Sequence, residues 1–177
     1  DYRSSVTANR NLGGGVLLEL SHELDYLSWI FGPCKWVRAW IGNVSDLEVD
    51  VEDSANLLLG MHQNDTDQDL ICSLNMDFVR QEQERSCTVI GEHGTVKWNG
   101  CLGIVEIYSK GTGVWKTVYS DISDVEQSYT RQFKSFLNSI NKNQFAAPSV
   151  KDGINVLKII ASSHESSSQV GKQININ

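Results

Sequence analysis

Long apolar runs are missing from this 177-residue sequence. No run approaches the roughly 20 residues that span a bilayer, and no signal-peptide pattern is present. Basic residues are in deficit, with 15 Lys and Arg against 22 Asp and Glu and a formal charge of −7. This balance argues against nucleic acid or an anionic membrane as the main partner, because both attract basic patches. We therefore expect a soluble protein whose partners are small molecules or other proteins.

Several motifs are also missing. No GxGxxG follows a strand and no βαβ alternation occurs, so the chain lacks a dinucleotide-binding half. No GxSxG, HExxH or Cys/His cluster is present, which excludes a serine hydrolase and predicts no metal site. The four cysteines, at positions 34, 72, 87 and 101, are scattered without a CxxC pair. This spacing favours free thiols and a cytoplasmic location.

The composition is that of a globular domain, with 40% hydrophobic and 21% charged residues. The length suits one domain over residues 1–177. Because the chain begins at Asp1 without methionine, we expect an excised fragment or a processed chain.

A stretch bounded by Gly13–Gly15 and Gly32 has helical periodicity. Its apolar stripe is expected to face a core and consists of Val16, Leu17, Leu20, Leu24, Leu27 and Phe31. Its other side carries Leu18, His22, Asp25, Tyr26 and Trp29, a mixture that a helix facing only water does not need. The glycine run and the free N–H groups behind it favour an anion. The alternative is a flexible turn, with His22 and Asp25 as an ordinary buried hydrogen-bonded pair.

The segment before the glycines is polar and contains Tyr2, Arg3, Asn9 and Arg10. It is either a solvated strand or a place where Arg3 or Arg10 meets an anionic part of a substrate, since guanidinium binds carboxylate and phosphate well. The acidic segment from Asp46 to Asp53, with three carboxylates at Asp50, Glu52 and Asp53, lacks a calcium-loop pattern. We interpret it as a solvated connection rather than a cation site.

The remainder of the sequence predicts an α+β domain built on a mostly antiparallel open sheet of about six strands, with helices packed on one face. Alternating segments predict strands within 35–41, 54–61, 70–80, 86–90, 95–98, 103–108 and 114–119. Helical spacing predicts helices over 128–140 and 149–168, the second with Ile154, Leu157, Ile160 and Ala161 inward. His93 is expected at a hairpin tip and His164 in a structural position.

The string from Gly13 to Gly32 resembles the signature of the glucose-fructose oxidoreductase, inositol dehydrogenase and MocA-like family of NAD(P)-dependent oxidoreductases. That signature is matched here by the three glycines, Glu19, His22, Asp25 and a Trp29-Ile30-Phe31-Gly32 ending. The family acid is usually an aspartate four residues before the histidine, whereas Glu19 lies three before His22. Residues 90–96 and the segment from 151 onward extend the resemblance over nearly the whole chain.

The resemblance implies the C-terminal, dihydrodipicolinate-reductase-like domain of an enzyme that oxidises or reduces a sugar, a sugar nucleotide or a polyol. NAD or NADP would be bound mainly by an N-terminal Rossmann domain that precedes Asp1 and supplies a catalytic lysine. This chain alone would then bind neither nucleotide and would be inactive. His22 would be the catalytic acid/base, a role suited to the near-neutral pKa of histidine, with Glu19 or Asp25 orienting its ring.

The other candidate site residues are Tyr2, Arg3, Asn9, Arg10 and Tyr26 for the substrate, and Gly14 and Gly15 for the cofactor. In the family, one sheet face pairs subunits. The free sheet face, with Trp36, Trp40, Trp98 and Trp115 available, would pair subunits into a dimer or tetramer. A different class also fits the sequence, namely a non-catalytic binding or oligomerisation module derived from this domain.

Overall fold

The structure is a computed structural model that describes residues 3, 5–62, 69–121, 125–144 and 148–176. The described residues fall into two compact units, one within Asp1–Val79 and Pro148–Asn177 and the other within Arg80–Ala147. Each unit contains one antiparallel four-stranded sheet. The predicted α+β class and antiparallel pairing are confirmed.

The sheet of the first unit contains the strands β1 (Cys34–Gly42), β2 (Ser54–Met61), β3 (Leu70–Asp77) and the short β8 (Ile174–Asn175). Their order across the sheet is β3-β2-β1-β8. Side chains alternate between the two faces along each strand, so Val37 and Ala39 of β1 are buried while Arg38 and Trp40 are exposed. The inner face joins the core and the outer face stays open.

Three helices cover the inner face of this sheet. They are α1 (Val16–Glu19), α2 (Ser21–Phe31) and α4 (Val150–Ser168). The core cluster contains the predicted Val16, Leu17, Leu24 and Leu27, with Leu20 and Phe31 packed against it. The helical stripe predicted for this stretch is therefore confirmed, as is the placement of helices on one face for this sheet.

None of the helices in the described part of the chain has the length and apolar character that crossing a bilayer requires.

Serines at the end of α4 complete the outer edge of β1. β8 pairs with β1 only at Trp36 and Val37. Beyond that point the N–H of Ala39 donates to Ser166 Oγ at 2.9 Å, and the N–H of Ile41 donates to Ser167 Oγ at 3.0 Å. Hydroxyl groups thus take the place of strand carbonyls, and buried backbone donors are satisfied without a longer β8.

The sheet of the second unit contains the strands β4 (Ser86–Gly91), β5 (Gly94–Asn99), β6 (Ile104–Ser109) and β7 (Trp115–Ser120). They lie in the order β4-β5-β6-β7. Glu92 and His93 form the tight turn between β4 and β5, so the predicted hairpin position of exposed His93 is confirmed. The helix α3 (Val125–Asn141) follows, and its apolar side chains Tyr129, Phe133, Phe136, Leu137 and Ile140 are exposed.

Three expectations about the fold are wrong in detail. The described strands number eight in two sheets rather than about six in one, because the charged segment after β3 interrupts pairing and β4 bonds only to β5.

The second correction concerns the inward face of α4. It is formed by Val156, Ile159, Ile160, Ser163 and Ser166, while Ile154, Leu157 and Ala161 are exposed. This helix has two candidate stripes, and the one rich in small serines approaches β1 closely.

The third correction concerns the tryptophans. Trp36 and Trp40 share the outer face of the first sheet, as predicted. Trp98 and Trp115 belong to the second sheet, where Trp98 is in register with Val105 and Trp115 with Tyr108. Positions 105 and 108 of one strand point to opposite faces, so these two tryptophans do not share a face.

Candidate active site

The glycine run is shaped by close backbone approaches within this chain. Gly13 ends a 3₁₀ turn in the left-handed region, with φ of 83°. A Cβ on Gly14 would lie 2.4 Å from the carbonyl oxygens of Val6 and Thr7. Gly15 has φ of 117°, which side-chain-bearing residues rarely adopt, and precedes α1 directly. The glycines therefore fix how the chain enters the helical segment.

The predicted single helix over 16–31 is divided at Leu20. This residue has φ of −98° and ψ of 23°, so α1 is a single turn and α2 starts anew at Ser21. The N–H of Glu23 bonds to the Leu20 carbonyl oxygen at 2.9 Å and begins the second helix. Nothing in the residue types marks the break, since neither glycine nor proline lies there.

The candidate catalytic residues lie on α1 and on the first half of α2. Glu19 and His22 are exposed, and Asp25 is half-buried. The His22 side chain is 50% exposed, and its Nε2 lies 3.3 Å from Oε1 of Glu23, whose side chain is only 11% exposed. A buried His22–Asp25 pair is therefore not what the structure contains. The carboxylate beside the imidazole belongs to Glu23, which the sequence analysis did not single out.

The predicted substrate-binding residues are held largely by the acidic segment. Arg3 forms an ion pair of 2.9 Å with Glu48. The Arg10 guanidinium donates to the Asp50 carbonyl oxygen at 2.9 and 3.1 Å. The Asn9 side chain accepts from the N–H of Asn11 and caps a turn. These three residues thus have partners within the chain, and contact with a substrate stays a prediction.

The other two predicted substrate contacts differ in kind. Tyr26 is half-buried and packs against the core beside the candidate catalytic residues. Tyr2 lies outside the described residues.

The acidic segment is more ordered than a solvated connection. Asp53 is fully buried and accepts hydrogen bonds from the Ser45 hydroxyl and from the N–H groups of Val44 and Ser45. Burial alone would raise the pKa of Asp53, but these hydrogen bonds outweigh it and hold the pKa below its usual value. Asp53 is thus a structural anchor, and the predicted solvation holds only for its exposed neighbours Asp46, Glu48 and Asp50.

No cluster of three or more His, Cys, Asp or Glu side chains in the described ranges is arranged to hold a metal ion. All four cysteines are free thiols. Burial raises the pKa of the Cys34 thiol to about 11, so this residue is not a reactive thiolate at neutral pH.

The chain matches a family model described as the oxidoreductase family, C-terminal alpha/beta domain, over residues 4–176. Since this match covers nearly the whole sequence, the chain belongs to that family. No curated protein matches the sequence.

Solved structures show the same fold at low identity. A levoglucosan dehydrogenase in complex with NADH is 15% identical with a TM-score of 0.87, over 100% of this chain and 55% of the neighbour. GenD2 from gentamicin A biosynthesis, in complex with NAD, is 20% identical with a TM-score of 0.76, over 98% and 52%. The WlbA dehydrogenase from Bordetella pertussis, in complex with NADH and UDP-GlcNAcA, is 19% identical with a TM-score of 0.70, over 96% and 48%. This chain spans about half the length of these neighbours.

The described residues do not fit a dinucleotide on their own. Both sheets are antiparallel, so the parallel strand and glycine-rich turn that hold a pyrophosphate are not provided by this part of the chain. The carboxylate of Glu52 lies against Gly15, and a negative group there opposes a bound phosphate. The predicted approach of Gly14 and Gly15 to a cofactor stays a prediction.

Proposed function

We propose that this chain is the substrate-binding and acid/base domain of an NAD(P)-dependent dehydrogenase that acts on a CH–OH group of a sugar, sugar nucleotide or polyol. The observation that carries the proposal is the position of His22, an accessible imidazole at the start of a helix whose opposite face is anchored in the core. An accessible imidazole on a rigid helix is suited to exchange a proton with a bound substrate.

The work of this chain is proton transfer and substrate orientation. As the carbinol is oxidised, its hydroxyl proton passes to the imidazole of His22, and in the reverse direction His22 returns it. The Glu23 carboxylate, 3.3 Å from Nε2, orients the ring. Glu19, three residues before His22, and Asp25, three residues after it, are proposed to orient the ring or the substrate. Hydride chemistry belongs to a nicotinamide cofactor bound by a preceding domain, and this chain alone is expected to be inactive.

The substrate class rests on the neighbours. Levoglucosan dehydrogenase acts on an anhydrosugar by its name, and WlbA was solved with a nucleotide-linked sugar. Tyr2, Arg3, Asn9, Arg10 and Tyr26 are the proposed substrate contacts. The guanidinium groups of Arg3 and Arg10 are the ones suited to an anionic substituent.

Replacement of His22 by asparagine in the complete enzyme tests the proposal. General acid/base groups typically contribute about 10²- to 10⁴-fold, so kcat should fall in that range. Because the His22 side chain is half exposed, the free energy of unfolding should change by no more than about 0.5 kcal/mol. His164→Asn is the matched control, since His164 is an exposed histidine on α4. Undiminished turnover of His22→Asn would refute the acid/base role.

The second candidate function is a non-catalytic binding or oligomerisation module. It is favoured by the open outer face of the first sheet, where Trp40 is 63% exposed and Ile71 is 51% exposed. In either function we propose a homo-oligomer, a dimer or tetramer, formed through this face. Trp40→Glu should then lower the mass measured by light scattering, whereas Ile90→Glu, at an exposed site of the second sheet, should not. An unchanged mass for Trp40→Glu would contradict the interface.

The acidic composition supports small-molecule and protein partners and offers no basis for nucleic-acid or membrane binding. The four free thiols support a cytoplasmic location. The presence of a dinucleotide-binding domain and lysine motif encoded before Asp1 would favour the enzyme over the module.

A further inference from the structure

Glu52 occupies the start of the helical segment that carries the candidate catalytic residues. Its carbonyl oxygen accepts the N–H of Val16 at 3.1 Å, and its Oε1 accepts the N–H of Leu17 at 3.3 Å. Both N–H groups belong to the first turn of α1, where no carbonyl of the same helix is available to them. Glu52 therefore acts as the N-terminal cap of α1, although it lies more than thirty residues later in the sequence.

Gly15 makes this approach possible. A Cβ at position 15 would lie 2.4 Å from Glu52 Oε1 and 2.7 Å from the other carboxylate oxygen. The last glycine of the run thus leaves room for a carboxylate of this chain, and its φ of 117° is a conformation that residues with side chains rarely adopt. The anion that the glycine run predicts is present, and it is an internal side chain.

Glu52 is itself held in a rigid segment. The preceding Val51 is 2% exposed, and the following Asp53 is buried with hydrogen bonds to the Val44–Ser45 backbone. Further back, the backbone of Asp50 is bound by the Arg10 guanidinium. A side chain between such anchors can fix the position of the element that it contacts.

The two short helices depend on different supports. α1 has four residues, and one helical turn has little stability of its own. Its inner side is held by buried Val16 and Leu17, and its N-terminal end by Glu52. α2 is held separately by Leu24 and Leu27 in the core. Because Leu20 separates the helices, a change at the start of α1 can move Glu19 without moving His22.

We propose that Glu52 is a positioning residue for the candidate active site: by holding the first turn of α1, it sets where the Glu19 carboxylate lies relative to His22, the proposed acid/base. This inference rests on the proposed function for its catalytic consequence. Its structural part, the hold of Glu52 on α1, can be tested without turnover.

The test compares three variants. Glu52→Ala removes the carboxylate, Glu52→Gln keeps an accepting oxygen in place, and Glu48→Ala removes an exposed acid of the same segment whose partner is Arg3. Amide hydrogen exchange of Leu17 should become at least about tenfold faster in Glu52→Ala, while Leu24 and Leu27 of α2 keep their protection. Glu52→Gln and Glu48→Ala should exchange like the parent protein.

Turnover of the complete enzyme supplies the second measurement. In Glu52→Ala, kcat should fall about tenfold or more while the substrate KM stays within about twofold, since geometry at the reacting group is lost and binding contacts remain. Glu52→Gln should restore most of kcat. If kcat fell in Glu52→Ala only because the protein is generally less stable, Glu52→Gln would not restore kcat while KM stays constant in both variants.

The outcomes are distinguishable. Unchanged exchange at Leu17 in Glu52→Ala overturns the inference whatever the turnover. Faster exchange with normal kcat, in an enzyme that His22→Asn inactivates, overturns the positioning role while the proposed function stands. Normal turnover of His22→Asn overturns the proposed function and, with it, the catalytic consequence assigned to Glu52.

Discussion

At the outer edge of β1, where serine hydroxyls accept backbone N–H groups, the structure allows a prediction about stability that burial alone does not. Ser166 is fully buried, and its Oγ accepts from the N–H of Ala39 at 2.9 Å and donates to the Lys172 carbonyl oxygen at 2.6 Å. Ser166→Ala removes both contacts without adding volume. It leaves the Ala39 N–H, at the outer edge of β1, and the Lys172 carbonyl oxygen without this partner.

The expected magnitude follows from those two groups. A buried donor left unsatisfied costs about 1–3 kcal/mol, and the carbonyl adds less because it retains a second lone pair. We expect Ser166→Ala to lower the free energy of unfolding by about 2 kcal/mol. For a chain of this length that corresponds to a fall in Tm of about 4–8 °C.

Two serines of the same helix are matched controls. Ser163 is also fully buried, but its hydroxyl donates only to the Ile159 carbonyl oxygen of its own helix. Ser168 is exposed and donates to Glu165 in the same way. Either change to alanine should alter stability by no more than about 0.5 kcal/mol, because no backbone donor loses its acceptor. Thermal unfolding of the three variants, with amide exchange of Ala39, makes the comparison. If Ser166→Ala unfolds at the same temperature as Ser168→Ala, the hydroxyl does not complete the sheet edge.

Two further predictions concern Asp53 and the glycines. The folded-state pKa of Asp53 lies below its usual value, so its ionised form contributes stability above the unfolded pKa of about 4, and that contribution is lost as the pH falls through the folded pKa. The free energy of unfolding measured in urea should therefore differ most between the parent protein and Asp53→Asn at pH 6, and this difference should shrink below a pH of about 4. A difference that does not change with pH would contradict the prediction. Gly14→Ala should destabilise by about 1–3 kcal/mol, since its Cβ meets two carbonyl oxygens at 2.4 Å, whereas Gly153→Ala, with open space in α4, should stabilise by about 0.5–1 kcal/mol. Equal effects at the two glycines would count against the close approach at Gly14.

Periodicity predicted most of the elements because it reports burial directly. The stripe through Val16, Leu17, Leu24 and Leu27 is buried as predicted, and β2 has its predicted bounds. The face of α4 was not predictable in the same way, because two stripes of similar polarity run along that helix. The stripe that contains Ser163 and Ser166 packs against β1. Which stripe becomes buried therefore depends on the strand that the helix packs against, and the helix sequence alone does not show it.

The sequence predicted which residues form the candidate site, but it predicted less well which residues they contact. Glu19, His22 and Asp25 lie on the helical segment that their spacing indicated. The break at Leu20 carries no local signal. Glu52 caps α1 through a contact between distant segments, whereas Glu23 directly follows His22 in the sequence and its burial depends on packing.

The hydroxyl groups on β1 also bear on how the protein meets other chains. An open strand edge offers unpaired N–H and C=O groups to any extended segment, and it is a common route to aggregation. Here β8 covers β1 at Trp36 and Val37, the N–H of Ala39 is taken by Ser166, and both backbone groups of Ile41 are bound by Ser167. A helix terminus thereby closes this edge to strand addition. Copies of the chain can therefore associate through the open face of this sheet but not through this edge. On that face side chains, and not backbone groups, determine which partner binds.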